Sequence, residues 1–313
     1  MLESSFIQVI VNPSAGSGRA KKIAETLPRK AGEIFSGEIN IKFTEERNHA
    51  AIIAREALKN GAEKIVAVGG DGTINEVING FFENGKPVNP SCELGIISCG
   101  TGRGFANSMK LPDDIDQQIK ILGKPGFRQI DIGLITYQDI HGARGERFFI
   151  NECQTGIGSK VASVVGSKHK ILGGKLAFGI TATIQAIILK PLELNIVFDD
   201  GQGQEFKLIG LVVGNGTECA GGMKLTPDAR MDDGQFDILL IHNMSVIKRL
   251  INLTKVYSGT HILTPYFSVR RCKRIKITSS ESVSLEADGE MLGTSPFEMR
   301  ILPAAIRVKT GFN

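Results

Sequence analysis

The segment from Gly69 to Asn75 combines residue types that suit phosphate binding. It reads Gly-Gly-Asp-Gly-Thr-Ile-Asn and directly follows the apolar stretch 64–68. Glycines allow positive φ and close approach of backbone amides to a ligand, and a helix predicted over 74–82 would present its N-terminal dipole to an anion. Asp71 would repel a phosphate unless a cation lay between them, so the segment indicates Mg-nucleotide binding. A plain structural turn is the alternative.

A second glycine-rich segment joins a predicted strand over 6–11 to a helix that begins near Arg19. Its glycines and hydroxyls suit another phosphate cradle with a basic partner. The residues concerned are Asn12, Ser14, Gly16, Ser17 and Gly18, with Arg19, Lys21 or Lys22 as the cation. Lys21 and Lys22 equally fit the solvated face of an amphipathic helix.

Two carboxylates near the end of the chain flank a glycine. Asp288 and Glu290 lie between a predicted strand over 283–286 and a turn over 293–296. In an extended segment, residues two apart face the same side, so both carboxylates could act together. A carboxylate can accept the proton of a hydroxyl during phosphoryl transfer. Taken alone, however, Asp-Gly favours a simple hairpin turn.

Four segments in this order resemble the diacylglycerol/sphingosine lipid kinase family. They are Val11–Gly18, Gly69–Thr73, Gly100–Gly102 and Ala287–Glu290. Gly-Gly-Asp-Gly alone also occurs in NAD kinases and phosphofructokinases, but the four together are specific, and the similarity extends over nearly the whole chain. By pattern the nearest relatives are the soluble bacterial lipid kinases. The resemblance implies an ATP- and Mg²⁺-dependent kinase that phosphorylates a hydroxyl of diacylglycerol or a related lipid. An NAD kinase-like enzyme and a non-catalytic lipid or nucleotide sensor are the alternatives.

The resemblance also implies roles for individual residues. Asp288 is the candidate base with Glu290 as its neighbour, and Asp71 is expected to organise Mg-ATP as an exposed carboxylate that contributes little packing. The nucleotide contacts are Asn12, Ser14, Gly16, Ser17, Arg19, Thr44, Gly69, Gly70, Asp71, Gly72, Thr73, Asn75, Gly100, Thr101 and Arg103. For Thr44, a helix or turn cap fits the sequence as well.

Two further expectations carry open alternatives. The resemblance implies a structural Mg²⁺ held by the side chain of Asp233 and by main-chain oxygens of Arg230 and Gln235, where an exposed turn is the alternative. Arg103 and Gly104 replace the Asn-Asp pair usual in the family. Arg103 could offer a phosphate two donors, or it could point to solvent.

The pattern of apolar residues predicts two domains. Strands over 6–11, 39–43, 64–68 and 94–97 alternate with helices over 19–27, 50–60, 74–82, 104–109 and 115–122. This alternation is typical of an α/β domain with a parallel sheet, and the resemblance makes it NAD kinase/diacylglycerol kinase-like. We place the nucleotide-binding domain at 1–130, with a return of about 300–313, and a β-rich, sandwich-like lipid-substrate domain at 131–299, with the boundary after Pro125-Gly126.

The second region contains closely spaced predicted strands and few helices. The strands cover 148–153, 192–198, 206–213, 236–241, 274–279 and 282–286, and the helices cover 175–189 and 246–257. The loops 214–216 and 221–223 are expected near the acceptor pocket.

Composition narrows the functional classes. The five cysteines are widely spaced, which supports neither a disulfide framework nor a zinc site and favours a cytoplasmic location. A net charge of +4 and the lack of a basic-aromatic surface argue against nucleic acid. The longest apolar stretch, 180–189, is too short to span a bilayer.

The partner expected is a lipid met by transient, peripheral contact with the membrane surface, and a homodimer is compatible with the sequence. The basic run 270–276 fits either a solvated edge strand or a patch that contacts anionic lipid head groups.

Overall fold

The computed structural model describes residues 6–32, 34, 37–100, 102–139, 141–157, 159, 190–219 and 221–311. The chain divides into two compact units. Unit 1 comprises Met1–Ile132 with Pro303–Asn313, and unit 2 comprises Gly133–Leu302. No helix within the described ranges is long and apolar enough to cross a membrane. The helix predicted over 175–189 lies outside the described residues.

Unit 1 is built on parallel strand pairs. Strands β1 (Phe6–Val11), β2 (Glu38–Phe43), β3 (Lys64–Gly69) and β6 (Glu93–Ser98) lie in the order β2-β1-β3-β6. Each neighbouring pair is parallel. Arg307 and Val308, at the end of β16 (Glu290–Val308), pair in parallel with the free side of β6. The middle strands are almost continuously apolar because side chains are buried on both faces.

Five helices accompany this sheet. They are α1 (Arg19–Gly32), α2 (His49–Lys59), α3 (Asp71–Gly80), α4 (Gly104–Ser108) and α5 (Ile115–Gly123). A short hairpin of β4 (Phe82–Glu83) and β5 (Lys86–Pro87) follows α3. Helix α3 begins at Asp71, three residues before the predicted start at Ile74. The predicted start is too late because the glycines were assigned to the preceding turn, whereas Gly72 lies in the first turn of the helix.

Unit 2 is rich in strands, as predicted, and its strand pairs are antiparallel. Its strands are β7 (Arg128–Gln138, which begins in unit 1), β8 (Arg144–Phe149), β9 (Glu152–Gly156), β10 (Leu192–Phe198), β11 (Gln204–Gly214), β12 (Phe236–His242), β13 (Phe267–Cys272), β14 (Arg274–Thr278), β15 (Ser284–Ala287) and most of β16. The main order is β13-β12-β11-β10-β14-β16, and β9 pairs with β11 and β15. Helix α6 (Val246–Ser258) is followed by a 3-10 helix, Thr260–Leu263.

One sequence prediction about this region is wrong. The single strand predicted over 148–153 is divided into β8 and β9 at Ile150 and Asn151. Their backbone N–H groups donate to the carboxylate of Asp288, so they are not available to a strand partner. The division between the two units falls inside strand β7, after Ile132, a few residues beyond Pro125-Gly126.

Candidate active site

Three loops of unit 1 meet where parallel strands β1, β3 and β6 end. The backbone N–H of Asn12 donates to the carbonyl of Val68 at 3.0 Å, and the N–H of Cys99 donates to the carbonyl of Gly69 at 2.9 Å. The Asn12 side-chain amide donates to the Thr73 hydroxyl at 3.1 Å. These contacts bring the predicted phosphate segments together at the sheet edge where open α/β sheets bind ligands.

The loops approach so closely that glycine is required at their contacts. A Cβ on Gly100 would lie 2.7 Å from the Cα of Gly70, which is closer than real Cβ atoms come. Gly16 has φ +59°, and a Cβ there would lie 2.4 Å from the carbonyl oxygen of Cys99. The backbone of all three loops is therefore held at short range by the lack of side chains.

The other predicted nucleotide contacts occupy the same loops or their margins. The carbonyl oxygen of the Asn12 side chain accepts from the Ser14 N–H at 3.1 Å and from the Ser14 hydroxyl at 2.8 Å. The Thr44 N–H donates to the carbonyl of Val11 at 2.8 Å, which places Thr44 just beyond β2. Ser17 has φ 56°, and Arg19 starts α1. Thr101 lies outside the described residues.

Asp71 differs from its expected environment. Its carboxylate is half-buried and accepts from the N–H groups of Gly104 and Phe105, both at 3.1 Å, at the start of α4. Burial raises the pKa of Asp71, while the Phe105 and Gly104 donors and the Arg103 charge oppose the rise. The expectation of an exposed carboxylate with little packing is therefore wrong. A carboxylate has about four acceptor positions, so positions remain for metal-bound water.

Arg103 adopts neither of its predicted roles. Its guanidinium donates to the carbonyls of Ser98 at 3.2 Å and Pro112 at 2.9 Å, and Nε lies 3.0 Å from Asp113 Oδ1. Its side chain is 16% exposed. With φ 52°, Arg103 turns its side chain into the loop that follows α4, so it stabilises that loop instead of offering a donor pair to phosphate or pointing to solvent.

In unit 2, Asp288 occupies a tight hairpin between β15 and β16. Ala287 pairs with Glu290, and both intervening residues have positive φ, 47° at Asp288 and 88° at Gly289. This geometry matches a two-residue hairpin turn. The expectation that Asp288 and Glu290 lie in one extended segment is wrong, because the turn gives the two carboxylates different partners.

Three backbone donors surround the Asp288 carboxylate. They are the N–H groups of Ile150 at 2.6 Å, Asn151 at 2.9 Å and Glu152 at 3.2 Å. Hydrogen bonds to an ionised oxygen are strong, so this arrangement stabilises the charged form and fixes its orientation. Glu290 instead pairs with Arg147, with Nη2 and Oε2 at 2.7 Å. The turn thus presents one carboxylate held by backbone and one held by an arginine.

Two buried carboxyl groups that were not among the predicted site residues lie beside Asp288. Glu152 and Glu286 are 5% and 1% exposed, and Glu286 accepts from the Gly289 N–H. Burial, followed by the charges of Glu286 and Asp288, raises the pKa of Glu152. Burial also raises the pKa of Glu286 to about 8. Both glutamates occur within predicted strands, where a charged residue is rarely buried unless it has partners. This feature of the sequence could have identified them.

The residues assigned to structural Mg²⁺ are engaged with one another and with cations. The Asp233 carboxylate accepts from the Gln235 N–H at 3.2 Å and forms an ion pair with Arg271. Arg230 pairs with Asp232 at 3.5 Å. Within the described part of the chain, no group of three His, Cys, Asp or Glu residues could hold a metal ion. Arg271 supplies the positive charge at Asp233 in this arrangement, and the metal assignment stays a prediction.

Two family descriptions match the chain. The diacylglycerol kinase catalytic domain matches residues 7–135, and the YegS C-terminal NAD kinase beta sandwich-like domain matches residues 151–310. A protein named diacylglycerol kinase from Staphylococcus saprophyticus is 31% identical over 309 residues, which cover 97% of this chain and 94% of that protein.

Solved structures have the same fold. A diacylglycerol kinase from Bacillus anthracis str. Sterne has a TM-score of 0.71 at 20% identity, over 99% of this chain and 98% of that one. Yeast NADH kinase complexed with NADH has a TM-score of 0.52 at 13% identity, over 98% of this chain and 83% of that one. At such identities these likenesses concern the fold alone.

Proposed function

We propose that this chain, a lipid kinase that belongs to the diacylglycerol kinase family, transfers the γ-phosphoryl group of ATP to a hydroxyl of diacylglycerol or a related lipid. The observation that carries the proposal is the convergence of the loops around Asn12, Gly70 and Gly100 in unit 1. Backbone amides in glycine-rich loops beside a helix N-terminus suit the phosphates of a nucleotide.

We assign unit 1 to nucleotide binding and unit 2 to the lipid acceptor. In unit 1, Asp71 would hold Mg²⁺ through its waters, because Gly104 and Phe105 fix the carboxylate and leave acceptor positions open. The metal would neutralise charge on the phosphates when bound. The Asn12–Thr73 hydrogen bond holds the first loop against α3, so the two phosphate segments keep their spacing.

In unit 2, Asp288 is the proposed acceptor of the hydroxyl proton. The donors of Ile150, Asn151 and Glu152 hold the carboxylate in one orientation before the reaction. Such a group is prepared to receive a proton as the hydroxyl oxygen attacks phosphorus. Glu290 is assigned to orientation, since its ion pair with Arg147 holds the far side of the turn.

A screen of purified protein for phosphate transfer from labelled ATP tests the proposal. The acceptors are diacylglycerol, monoacylglycerol, phosphatidylglycerol, sphingosine and NAD, each with and without Mg²⁺. We expect diacylglycerol or a related lipid to be phosphorylated only with the metal. Phosphorylation of NAD alone would overturn the assignment in favour of an NAD kinase. Binding of ATP without transfer to any acceptor would favour a non-catalytic sensor.

The Asp288→Asn variant tests the assignment of the base. Asparagine keeps the shape of the side chain and one acceptor oxygen but cannot take up the proton, so the transfer rate should fall roughly 10²- to 10⁴-fold. ATP affinity, measured by calorimetry, should remain close to that of the wild type. Glu146→Gln, in the same unit and exposed, is the control. A transfer rate within a factor of two of wild type would exclude Asp288 as the base.

A further inference from the structure

Helix α6 and the 3-10 helix that follows it expose an unusual amount of apolar surface. Among the described residues, ten large hydrophobic side chains are exposed, and five of them fall within residues 246–263. We call these five residues the docking face: Val246, Ile247, Ile251, Tyr257 and Leu263. Ile247 is 72% exposed and Leu263 82%. Single exposed hydrophobics are ordinary, but a cluster of this kind marks an interaction surface.

The buried and the exposed apolar residues of α6 lie on different sides of the helix. Asn252 and Val256, four residues apart, are its buried residues. The Asn252 amide donates to the Lys248 carbonyl at 2.8 Å, and its carbonyl oxygen accepts from the Thr264 hydroxyl at 3.3 Å. Ile247 and Ile251 are also four residues apart and form a separate stripe. Leu250 and Leu253 are half-buried, so α6 divides its apolar residues between the protein and the solvent.

The chain segment that carries the docking face has charges of one sign. No Asp or Glu occurs between Asp237 and Glu281, while α6 carries Lys248, Arg249 and Lys255. Lys248 donates to the Tyr266 hydroxyl, and Arg249 donates to the Met244 carbonyl and to the side-chain oxygen of Asn243. Exposed apolar side chains flanked by cations are complementary to the surface of a bilayer that contains anionic lipids.

The basic run 270–276 is less suited to this role. Arg271 pairs with Asp233, and Arg274 pairs with Asp200. Arg270 lies over the rings of Phe198 and Phe206, at 5.0 and 5.5 Å from their centroids. The arginines of this run are therefore held by groups of unit 2, and no apolar cluster like that of α6 accompanies them among the described residues.

We propose that the docking face inserts into the interface of a bilayer containing anionic phospholipid. The proposal rests on the lipid kinase function, since it names the surface through which the enzyme would reach an acceptor held in a membrane. The buried side of α6 leads toward the proposed base: Val256 packs with Cys219, and the Cys219 thiol lies against the Glu152 carboxyl. Glu152 in turn donates its N–H to Asp288.

Vesicle flotation of the full-length protein tests the proposal. The vesicles contain phosphatidylcholine, with or without phosphatidylglycerol at about one-third of the lipid. The wild type should bind the anionic vesicles more tightly. The double variant Ile247→Ser with Ile251→Ser should bind about tenfold more weakly because it removes the apolar insertion. Lys248→Glu with Lys255→Glu should reduce binding to anionic vesicles by about 25-fold or more, since each cation contributes roughly fivefold and the new carboxylates are repelled.

Two control variants test whether the loss of vesicle binding is specific to the docking face. Ile52→Ser removes an apolar side chain that is 49% exposed on α2 of unit 1, and Lys273→Glu with Lys276→Glu reverses two exposed charges of the basic run. Both should bind like the wild type. The proposal is overturned if the isoleucine variant binds vesicles as well as the wild type. It is also overturned if the wild type is a dimer that this variant converts to a monomer.

Binding and turnover are separable in this design. With short-chain diacylglycerol dispersed in water, the isoleucine variant should phosphorylate its acceptor at the wild-type rate, while it should lose activity toward diacylglycerol held in vesicles. If the protein phosphorylates no lipid but the isoleucine variant still loses vesicle binding, the docking face stands and the proposed function fails.

Discussion

At the scale of single residues, the proposed catalytic carboxylates also hold the backbone in place. Asp71 accepts from two N–H groups at the start of α4, and Asp288 accepts from three between β8 and β9. Replacement of either residue therefore changes a local fold as well as a charge. Variants that preserve side-chain shape are needed to separate the two effects.

Asp71→Ala and Asp71→Asn should differ in stability but not in activity. Alanine leaves the Gly104 and Phe105 donors without their acceptor, which should cost about 1–3 kcal/mol of unfolding free energy. Asparagine retains one acceptor oxygen and should cost less. Both remove the negative charge proposed to act on Mg²⁺, so both should lose phosphoryl transfer. Thermal melting and the transfer assay measure the two effects, and an active Asn variant would show that the charge is dispensable.

Glu286 should make the protein less stable as the pH rises. Burial raises the pKa of this carboxyl to about 8, so between the unfolded pKa of about 4.3 and the folded value the folded chain binds more protons than the unfolded chain. The contribution of the protonated Glu286 carboxyl to the free energy of unfolding is complete below the unfolded pKa. It is lost as the pH rises through the folded pKa. Glu286→Gln should therefore be more stable than wild type at about pH 8 but not at about pH 4.

Urea unfolding at both pH values measures this difference. The control is Glu281→Gln, which changes an exposed glutamate near the same strand. It should leave the pH dependence as it is in the wild type. A Glu286→Gln protein whose stability follows the wild-type pH profile throughout would contradict the raised pKa.

At the scale of elements, the loops after β1, β3 and β6 act as one unit because glycine allows their backbones to touch. Gly70 and Gly100 come from loops that follow different strands, and a Cβ on Gly100 would meet the Gly70 backbone. The spacing of phosphate-binding amides therefore depends on residues that have no functional group of their own.

Gly100→Ala should weaken ATP binding by about tenfold or more. The added methyl group would force the loops after β3 and β6 apart, and the misplaced amides would lose hydrogen bonds to phosphate. Gly32→Ala, at the end of α1 in the same unit, is the matched control, because a Cβ there meets nothing within 4 Å. Calorimetric titration with ATP measures both variants. Equal affinities for the two would contradict a role for the close Gly70–Gly100 contact.

At the scale of the whole molecule, the end of the chain completes the first unit. After strand β16 leaves unit 2, Pro303–Asn313 belongs to unit 1, where Arg307 and Val308 pair with Glu93 and Leu94. The buried Asp131 carboxylate accepts from the Ala304 N–H at 2.8 Å. This hydrogen bond holds the returning segment at a residue with φ 48°.

Asp131→Ala should lower the free energy of unfolding by about 1–3 kcal/mol, because a backbone donor loses its acceptor in a buried place. Asp116→Ala, in the same unit, removes an exposed ion pair with Lys30, which solvent screens, and should change stability much less. Denaturant unfolding compares the two. If Asp131→Ala is no less stable than Asp116→Ala, the return segment is not held by this bond.

Local sequence patterns predicted the bounds of individual strands and the family of this protein. The bounds predicted for β1 and β10 agree with the structure at both ends, because apolar runs bounded by turn residues identify buried strands. The glycine-rich motifs identified the family.

Only the tertiary structure placed Arg103 on the carbonyls of Ser98 and Pro112, divided one predicted strand at Ile150, and buried Glu152 and Glu286 beside Asp288. Asp288 and its donors are 136 to 138 positions apart in the chain, and hydrogen bonds and desolvation depend on such distant neighbours, which local patterns do not specify.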